Sequence, residues 1–257
     1  MKKTEKDFWV KENVKFSPLY SLLKLSPVDG HMPSALPGQF VQVEVSNSKT
    51  TYLRRPISIN YIDDKELWLL IRKAGDGTTA MTELAPGDKL NLLLPLGNGF
   101  STQVSGLVLL VGGGVGVAPL LHLGKELKEQ GKDVKFLLGA RTGKDLLELD
   151  LFKQLGEVFV TTEDGSVGEK GFVTQHSIFQ RKIDHIACCG PSPMMKAVAK
   201  IAQEKEIDCE VSLENLMACG IGACLCCVED TIDEGNVCVC QDGPVFNIKR
   251  LKYVSSG

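Results

Sequence analysis

The sequence predicts an α+β chain of several domains: an antiparallel β region, then a parallel α/β region, then a cysteine-rich segment. Three observations predict this. Residues 1–104 hold short strand-like runs separated by turn signals, residues 105–208 alternate apolar strands with amphipathic helices, and residues 209–257 lose that periodicity while gathering thiols.

In the first region, "GQFVQVEV" (Gly38–Val45), "LRRPISINYI" (Leu53–Ile62) and "ELWLLIRKA" (Glu66–Ala74) are short runs with β-branched and aromatic residues. "DKLNLLLPLG" (Asp88–Gly97) follows the turn signal "APGD", and only Thr78–Leu84 has helical character. Closely spaced strands of this kind suggest an antiparallel barrel or sandwich. "RRPIS" (Arg54–Ser58) places cation, rigid proline and hydroxyl in one short strand. A guanidinium reads phosphate oxygens through a fork of donors, and Ser58 suits the polar edge of a ring. "IRKAGDGTT" ends a strand in glycines and threonines, whose N–H groups suit an anion nest beside Arg72. Alone, each is a solvated basic strand or a turn. Ahead of a nucleotide-binding sheet, the two together suggest a phosphate-bearing cofactor.

The central region begins with the strand "LVLLV", a glycine loop, and "VAPLLHLGKELKEQG". There Val117, Leu120, Leu121 and Leu127 mark a helix and Gly131 stops it. "DVKFLLGA", "DLLELDLFKQLG", "EVFVTTED", "HIACCG" and "SPMMKAVAKIAQEKE" continue the alternation, which predicts a parallel sheet covered by helices. Gly112, Gly113, Gly114 and Gly116 allow close backbone approach to a diphosphate, and the helix behind them offers free N–H groups. Pro119 suits the first helical turn. The spacing is not G-x-G-x-x-G, so a standard dinucleotide motif is not predicted. The plain alternative is a turn that only packs helix on strand. "CCGPSPM" follows a second strand, with Ser192 suited to cap a helix starting at Pro193. Loops at such strand ends form the ligand crevice of open α/β sheets. Cys188 reads as a small buried hydrophobe and Cys189 as bordering the crevice.

The tail reads Cys219-x4-Cys224-x2-Cys227, then Cys238 and Cys240. The first three thiols carry the spacing of plant-type [2Fe–2S] ligation, and either Cys238 or Cys240 offers the fourth ligand. Gly220 and Gly222 allow a tight loop whose N–H groups face sulfur. Zinc is the rival, but only Cys224 and Cys227 form a clean hook and no histidine is near. Cys226 is unassigned, and Cys209 reads as structural.

Bulk properties narrow the classes further. With 257 residues, 43% hydrophobic content and net charge −3, the chain is an ordinary globular one without the basic balance of a nucleic-acid binder. The N-terminal lysines have no apolar stretch behind them, so no signal peptide is expected. The apolar run Leu107–Leu123 is broken by glycines and is not expected to span a membrane. Nine cysteines, an odd number concentrated at one end, do not form a disulfide framework, and a cytoplasmic location is expected.

"RRPIS", "GDGT", "PLGNGF", "VGGGVGVAPL" and "CGPSPM" occur in the order seen in the ferredoxin–NADP reductase superfamily, which this chain resembles. The resemblance implies an N-terminal antiparallel Greek-key β-barrel binding FAD (1–104), an α/β parallel-sheet domain binding NAD(H) (105–208) and a C-terminal [2Fe–2S] segment (209–257). It implies that Arg55, Pro56, Ile57, Ser58, Leu70, Ile71, Arg72, Gly77 and Thr78 line the FAD site. Gly112, Gly113, Gly114, Gly116, Cys189, Gly190 and Pro191 would serve the nicotinamide nucleotide. Many relatives have tyrosine where Ile57 stands, so ring stacking on the flavin there is not expected.

"MACGIGACLCCVED" with "CQDGPVF" resembles the electron-transfer subunits of NAD-linked, heteromeric dihydroorotate dehydrogenase. This second resemblance implies Cys219, Cys224, Cys227 and Cys240 as ligands, with Cys240 favoured over Cys238. It also implies an FMN-containing catalytic subunit that converts dihydroorotate to orotate in pyrimidine biosynthesis, two copies of each subunit, and NAD rather than NADP. Arg141 would welcome a 2′-phosphate, whereas Asp145 and Glu148 follow closely. The cofactors carry the chemistry, and no side chain is expected to act as acid, base or nucleophile. The four histidines are given no role. The alternatives are a flavin/iron–sulfur reductase subunit of another complex (sulfide dehydrogenase, ferredoxin:NADP reductase or hydrogenase type) and a zinc-bearing nucleotide-binding regulator.

Overall fold

The protein is described by a computed structural model over residues 2–46 and 50–252, so residues 1, 47–49 and 253–257 lie outside it. Seven antiparallel strands form the first sheet: β1 (Thr4–Ser17), β2 (Tyr20–Pro27), β3 (Phe40–Val43), β4 (Arg55–Ser58), β5 (Tyr61–Ile62), β6 (Leu67–Arg72) and β7 (Lys89–Leu96). Their order, β4-β3-β7-β1-β2-β6-β5, separates β2 from β3 by two strands. The chain therefore crosses the end of the sheet in the Greek-key manner and curls it into a half-barrel. Strand alternation sorts the leucines. Leu23, Leu25, Leu69 and Ile71 fill the half-barrel with Phe8, Val41 and Val43. Leu22 and Leu70 point outward, against Val117, Ala118 and Leu121 of the next region. The short helix α1 (Asp76–Thr82) occupies most of the expected helical stretch.

β1 was not legible in advance. Its fourteen residues, "TEKDFWVKENVKFS", are rich in lysine and glutamate, and only Phe8 and Val10 are buried. Ladder pairing to β2 and β7 holds the strand, with one face left to solvent.

The second sheet has the order β11-β10-β9-β8-β12-β13-β16. It is built from β8 (Leu107–Gly113), β9 (Asp133–Ala140), β10 (Glu157–Thr162), β11 (Glu169–Lys170), β12 (His185–Cys189) and β13 (Asp208–Ser212), all parallel. Three helices cross over: α2 (Ala118–Glu129), α3 (Leu149–Leu155) and α4 (Ser192–Glu204). Successive strands run one way from β8 to β9 and the other way from β8 to β12, which opens a crevice at their carboxyl ends. Regular structure does not end at Cys209, where the periodicity fades. β13 completes the parallel sheet because Cys209 and Val211 are buried in its core. After the cysteine loop come the hairpin β14 (Val228–Thr231) and β15 (Gly235–Cys238) and the turn α5 (Val239–Asp242). The chain then returns as β16 (Val245–Asn247), antiparallel to β13. The cysteine-rich segment is thereby sewn into the sheet beside it. Among the described residues no helix is long and apolar enough to cross a membrane.

Candidate functional site

The two adjacent arginines of "RRPIS" are put to different uses. Arg54 is bound to the sheet: its guanidinium donates to Glu5 Oε1 at 2.8 Å and to Asn91 Oδ1 at 2.6 Å. It also reaches the carbonyls of Gln42 and Asn91, both at 3.3 Å. Arg55 bonds only backbone carbonyls, those of Leu53 and Arg54, and has no carboxylate at ion-pair distance among the described residues. A Cβ on Gly77 would stand 3.1 Å from Arg55 Nε, so this glycine leaves room for the guanidinium over α1. Pro56, Ile57 and Ser58 are half-buried, Arg72 is exposed, and Leu70 and Ile71 are buried. The last two can meet a cofactor only through backbone. The nest expected beside Arg72 is partly spent, because Ala74 and Gly75 donate their N–H groups to Thr78 Oγ1 at 2.8 and 3.1 Å.

The glycine loop and "CGP" lie side by side at the ends of β8 and β12. A Cβ on Gly116 would meet Gly190 Cα at 2.5 Å and Cys189 O at 2.6 Å; one on Gly113 would meet Met194 Sδ at 2.6 Å. The first duty of these glycines is to let the two loops touch. Gly114 differs: its φ is +55°, and a Cβ there would have only Tyr20 Oη nearby, at 3.9 Å. It is the glycine of this loop with open space beside it, and Tyr20 belongs to half-barrel strand β2, where it pairs with Arg72. Ser192 opens α4 rather than capping it; Pro191 is the cap residue and bonds nothing through its side chain. Cys189 is half-buried. Burial, with Glu214 nearby, pushes its thiol up to about 12 against a weaker opposing bond from Ser212, so it stays protonated. Replacing Gly116 by alanine forces backbone apart, and the variant should lose about 1–3 kcal/mol of stability together with NADH affinity. A thermal melt and an NADH titration matching wild type would refute that packing role.

One buried residue fastens the two regions together. Asn60, two positions beyond Ser58, donates from its side-chain amide to Ala118 O at 3.2 Å and to Glu148 Oε2 at 2.8 Å. Its backbone carbonyl accepts the N–H of His122 at 3.2 Å. The strand carrying Arg55 and Ser58 is thus bonded to the first turn of the helix behind the glycine loop. Glu148, one of the two acidic residues that follow Arg141, is buried here, where desolvation raises its pKa to about 7 against the opposing Asn60 bond. Asp145 is likewise occupied, accepting the backbone N–H and hydroxyl of Thr142 at 3.2 and 2.9 Å.

The cysteine loop presents sulfur in two pairs. Cys219 stands with Cys224, and Cys227 with Cys240, each pair close enough to share a hydrogen bond. Cys227 and Cys240 are buried, Cys219 is half-buried and Cys224 is exposed. Backbone donors surround them. Ile221 and Ala223 donate to Cys219 Sγ at 3.4 and 3.3 Å, Gly222 to Cys240 Sγ at 3.1 Å, and Cys240 to Cys227 Sγ at 3.3 Å. Burial pushes the Cys219 thiol up, but the Ile221 donor and Cys224 outweigh it and favour thiolate. Burial and neighbouring Cys227 push Cys240 the other way. Among the described residues, no three His, Cys, Asp or Glu side chains converge as a single metal ion requires. Four thiols brought together in this way are the donor set that would hold a [2Fe–2S] cluster. Cys238, the other candidate, is half-buried, and its backbone N–H is held by Asp242 Oδ2 at 2.9 Å. The loop packs against the half-barrel: a Cβ on Gly220 would stand 2.6 Å from Gln42 Cγ, on the strand paired with β4.

Comparison with known proteins agrees with this layout. A family model described as the iron-sulfur cluster binding domain of dihydroorotate dehydrogenase B matches residues 214–252, and an oxidoreductase NAD-binding domain matches residues 110–200. The chain is 41% identical over 244 residues to the dihydroorotate dehydrogenase B (NAD(+)) electron transfer subunit of Geobacillus sp. (strain WCH70), covering 91% of this chain and 94% of that one. It is 38% identical over 248 residues to the subunit of the same name from Clostridium perfringens (strain 13 / Type A), covering 95% and 96%. A solved structure of an NADH-dependent reduced ferredoxin-NADP oxidoreductase, described for flavin-based electron bifurcation, superposes with a TM-score of 0.85 at 30% identity, over 97% of this chain and 93% of that one. The flavohem-like FAD/NAD-binding domain of nitric oxide dioxygenase from Vibrio cholerae shares the fold, with a TM-score of 0.68 at 21% identity, over 80% and 98%.

Proposed function

The chain belongs to the family of dihydroorotate dehydrogenase B (NAD(+)) electron-transfer subunits, and from that premise we propose that it links NAD(H) to an FMN-containing catalytic subunit that oxidises dihydroorotate to orotate. The bound cofactors supply the chemistry: hydride exchange between nicotinamide and FAD, and single-electron exchange between FAD and a [2Fe–2S] cluster. The protein's own part is to hold and align them. Arg55, whose guanidinium is bonded only through Nη1 to backbone carbonyls, offers its remaining donors to the FAD phosphates, with Gly77 and Thr78 shaping the turn beside it. Pro56, Ile57, Ser58 and Arg72, with the backbone of Leu70 and Ile71, complete that site. Gly112, Gly113, Gly114 and Gly116, with Cys189, Gly190 and Pro191, form the nucleotide crevice, and the protonated Cys189 keeps it free of thiolate charge. Cys219, Cys224, Cys227 and Cys240 hold the irons. We divide the chain at residue 104 and again after β13 rather than at 208, since β13 belongs to the parallel sheet.

The observation that carries this reading is the seating of the paired-thiol loop on β3, one strand from Arg55 and Ser58. The outer side of that loop is apolar and open. Leu216 is 86% exposed, Leu225 65% and Ile221 44%, alongside exposed Cys224. Such a patch around a redox centre suits a docked partner subunit, in a complex of two copies of each chain.

Co-expression with an FMN-bearing catalytic subunit tests the proposal. The complex should reduce NAD⁺ when given dihydroorotate, and this chain alone should not. The runner-up, an electron-transfer subunit of another complex, is favoured by the 30% identical oxidoreductase structure. It prevails if the complex ignores dihydroorotate yet NADH reduces a ferredoxin through it.

A further inference from the structure

Gln42 lies in the middle of β3 with none of its surface exposed. Among the described residues it is the one side chain with two buried polar atoms, Oε1 and Nε2, that lack any hydrogen-bond partner. Gln39, just before the same strand, shows the usual behaviour: its Oε1 accepts the Leu36 N–H and its Nε2 donates to Gly97 O, both at 2.7 Å. A buried amide left unbonded is costly, and natural interiors supply a partner. Strand alternation sets the direction in which that partner lies. Val41 and Val43 fill the half-barrel, whereas Phe40 packs outward with Cys227 and Cys240. Gln42 shares the outward face. There its Nε2 lies 2.8 Å from the place a Cβ on Gly220 would take, next in chain to Cys219. Across the ladder it faces Pro56, which has no N–H to offer.

We propose that Gln42 is a hydrogen-bond donor to the [2Fe–2S] cluster, its Nε2 serving the sulfur edge beside Cys219. This rests on the function proposed above and adds the residue that ties the cluster loop to the neighbour of the flavin strand. An N–H aimed at sulfur stabilises the more negative reduced cluster and so raises its potential. The same bond fixes the loop against β3, one ladder spacing of about 4.8 Å from β4.

The test is a pair of near-isosteric apolar variants, Gln42→Met and Gln42→Leu, in the full chain. Both should still assemble the cluster and bind FAD at saturating iron and sulfide, with cluster affinity weakened by up to the roughly 10–100-fold that loss of an outer-shell partner costs. The redox equilibrium of the cluster should shift toward the oxidised form by about tenfold, equivalent to ~59 mV for one electron, in a dye-coupled titration. The electron paramagnetic resonance spectrum of the reduced cluster should change with it. Cluster-free protein supplies a readout independent of electron transfer: with the unbonded amide gone, the variants should melt no lower than wild type, whereas with cluster bound they should melt lower. A potential and spectrum unchanged in both variants would overturn the assignment and leave the amide to a buried water. A wild-type chain that holds no iron or sulfide would defeat the proposed function and this bond together, a result distinct from an unshifted cluster.

Discussion

Cys240→Ala should strip the protein of its iron and sulfide, whereas Cys238→Ala should keep both. Cys240 is wholly buried, its thiol accepts the Gly222 N–H and its own N–H points to Cys227. Cys238, two residues earlier, is only half-buried and stands opposite Val228 in the β15–β14 ladder. Among the described residues, none of the loop's backbone N–H groups donates to its sulfur. Losing an outer-shell partner alone costs about 10–100-fold in metal affinity, so losing a ligand should exceed about a hundredfold. Dihydroorotate-driven NAD⁺ reduction by the complex should fall with the metal. NADH oxidation with an artificial one-electron acceptor should survive, since Arg55 and the glycine loop are untouched. Iron and acid-labile sulfide analysis of the two variants decides it; the reverse pattern of metal loss would exchange the roles of the two cysteines.

Glu148→Gln should make the protein more stable in mild alkali and leave it nearly unchanged in acid. Desolvation, only partly offset by the Asn60 bond, raises the folded pKa of Glu148 from 4.5 to about 7. The folded chain therefore binds this proton more tightly than the unfolded chain. Stability is lost as pH climbs from 4.5 to about 7, and the loss is complete above that. The span corresponds to about 3 kcal/mol. His122 works in the opposite sense: burial lowers its pKa from 6.5 to about 4, so its contribution is lost as pH falls through that window. The two partly mask each other in the wild-type curve. Subtracting wild type from Glu148→Gln removes His122, so the difference in unfolding free energy should grow by about 3 kcal/mol between about pH 4.5 and 8. Denaturant titrations that run parallel across that range would show that Glu148 is not held neutral by burial. Glutamine keeps the oxygen that accepts from Asn60, so the bond between the regions persists.

Legibility in the sequence followed the range of the interactions. β8 and β12 were readable because a strand buried on both faces is nearly continuously apolar. β1 was not, because its stability lies in ladder bonds to β2 and β7, and Lys and Glu on an exposed face do not betray that pairing. α3 is shorter than "DLLELDLFKQLG" suggests because Glu148 takes a left-handed backbone, φ 55°, to reach Asn60 across the interface. Gln42 sits between valines in "VQVEV", and nothing local marks it as interior; the cysteine loop, distant in sequence, packs over it.

By itself the sequence determined the donor set and the order of the parts. Thiol spacing within one loop, glycines between strand and helix, and the run from arginine to serine are local geometry, set by a few covalent links. Tertiary structure alone decided that Cys240 is wholly buried and Cys238 only half-buried, that Arg54 is paired with a carboxylate and Arg55 is not, and that Glu148 lies buried against Asn60 at the domain junction. Those outcomes depend on what packs against each side chain from chain segments far away in sequence, and burial there sets both the charge a group can carry and the partners it can reach.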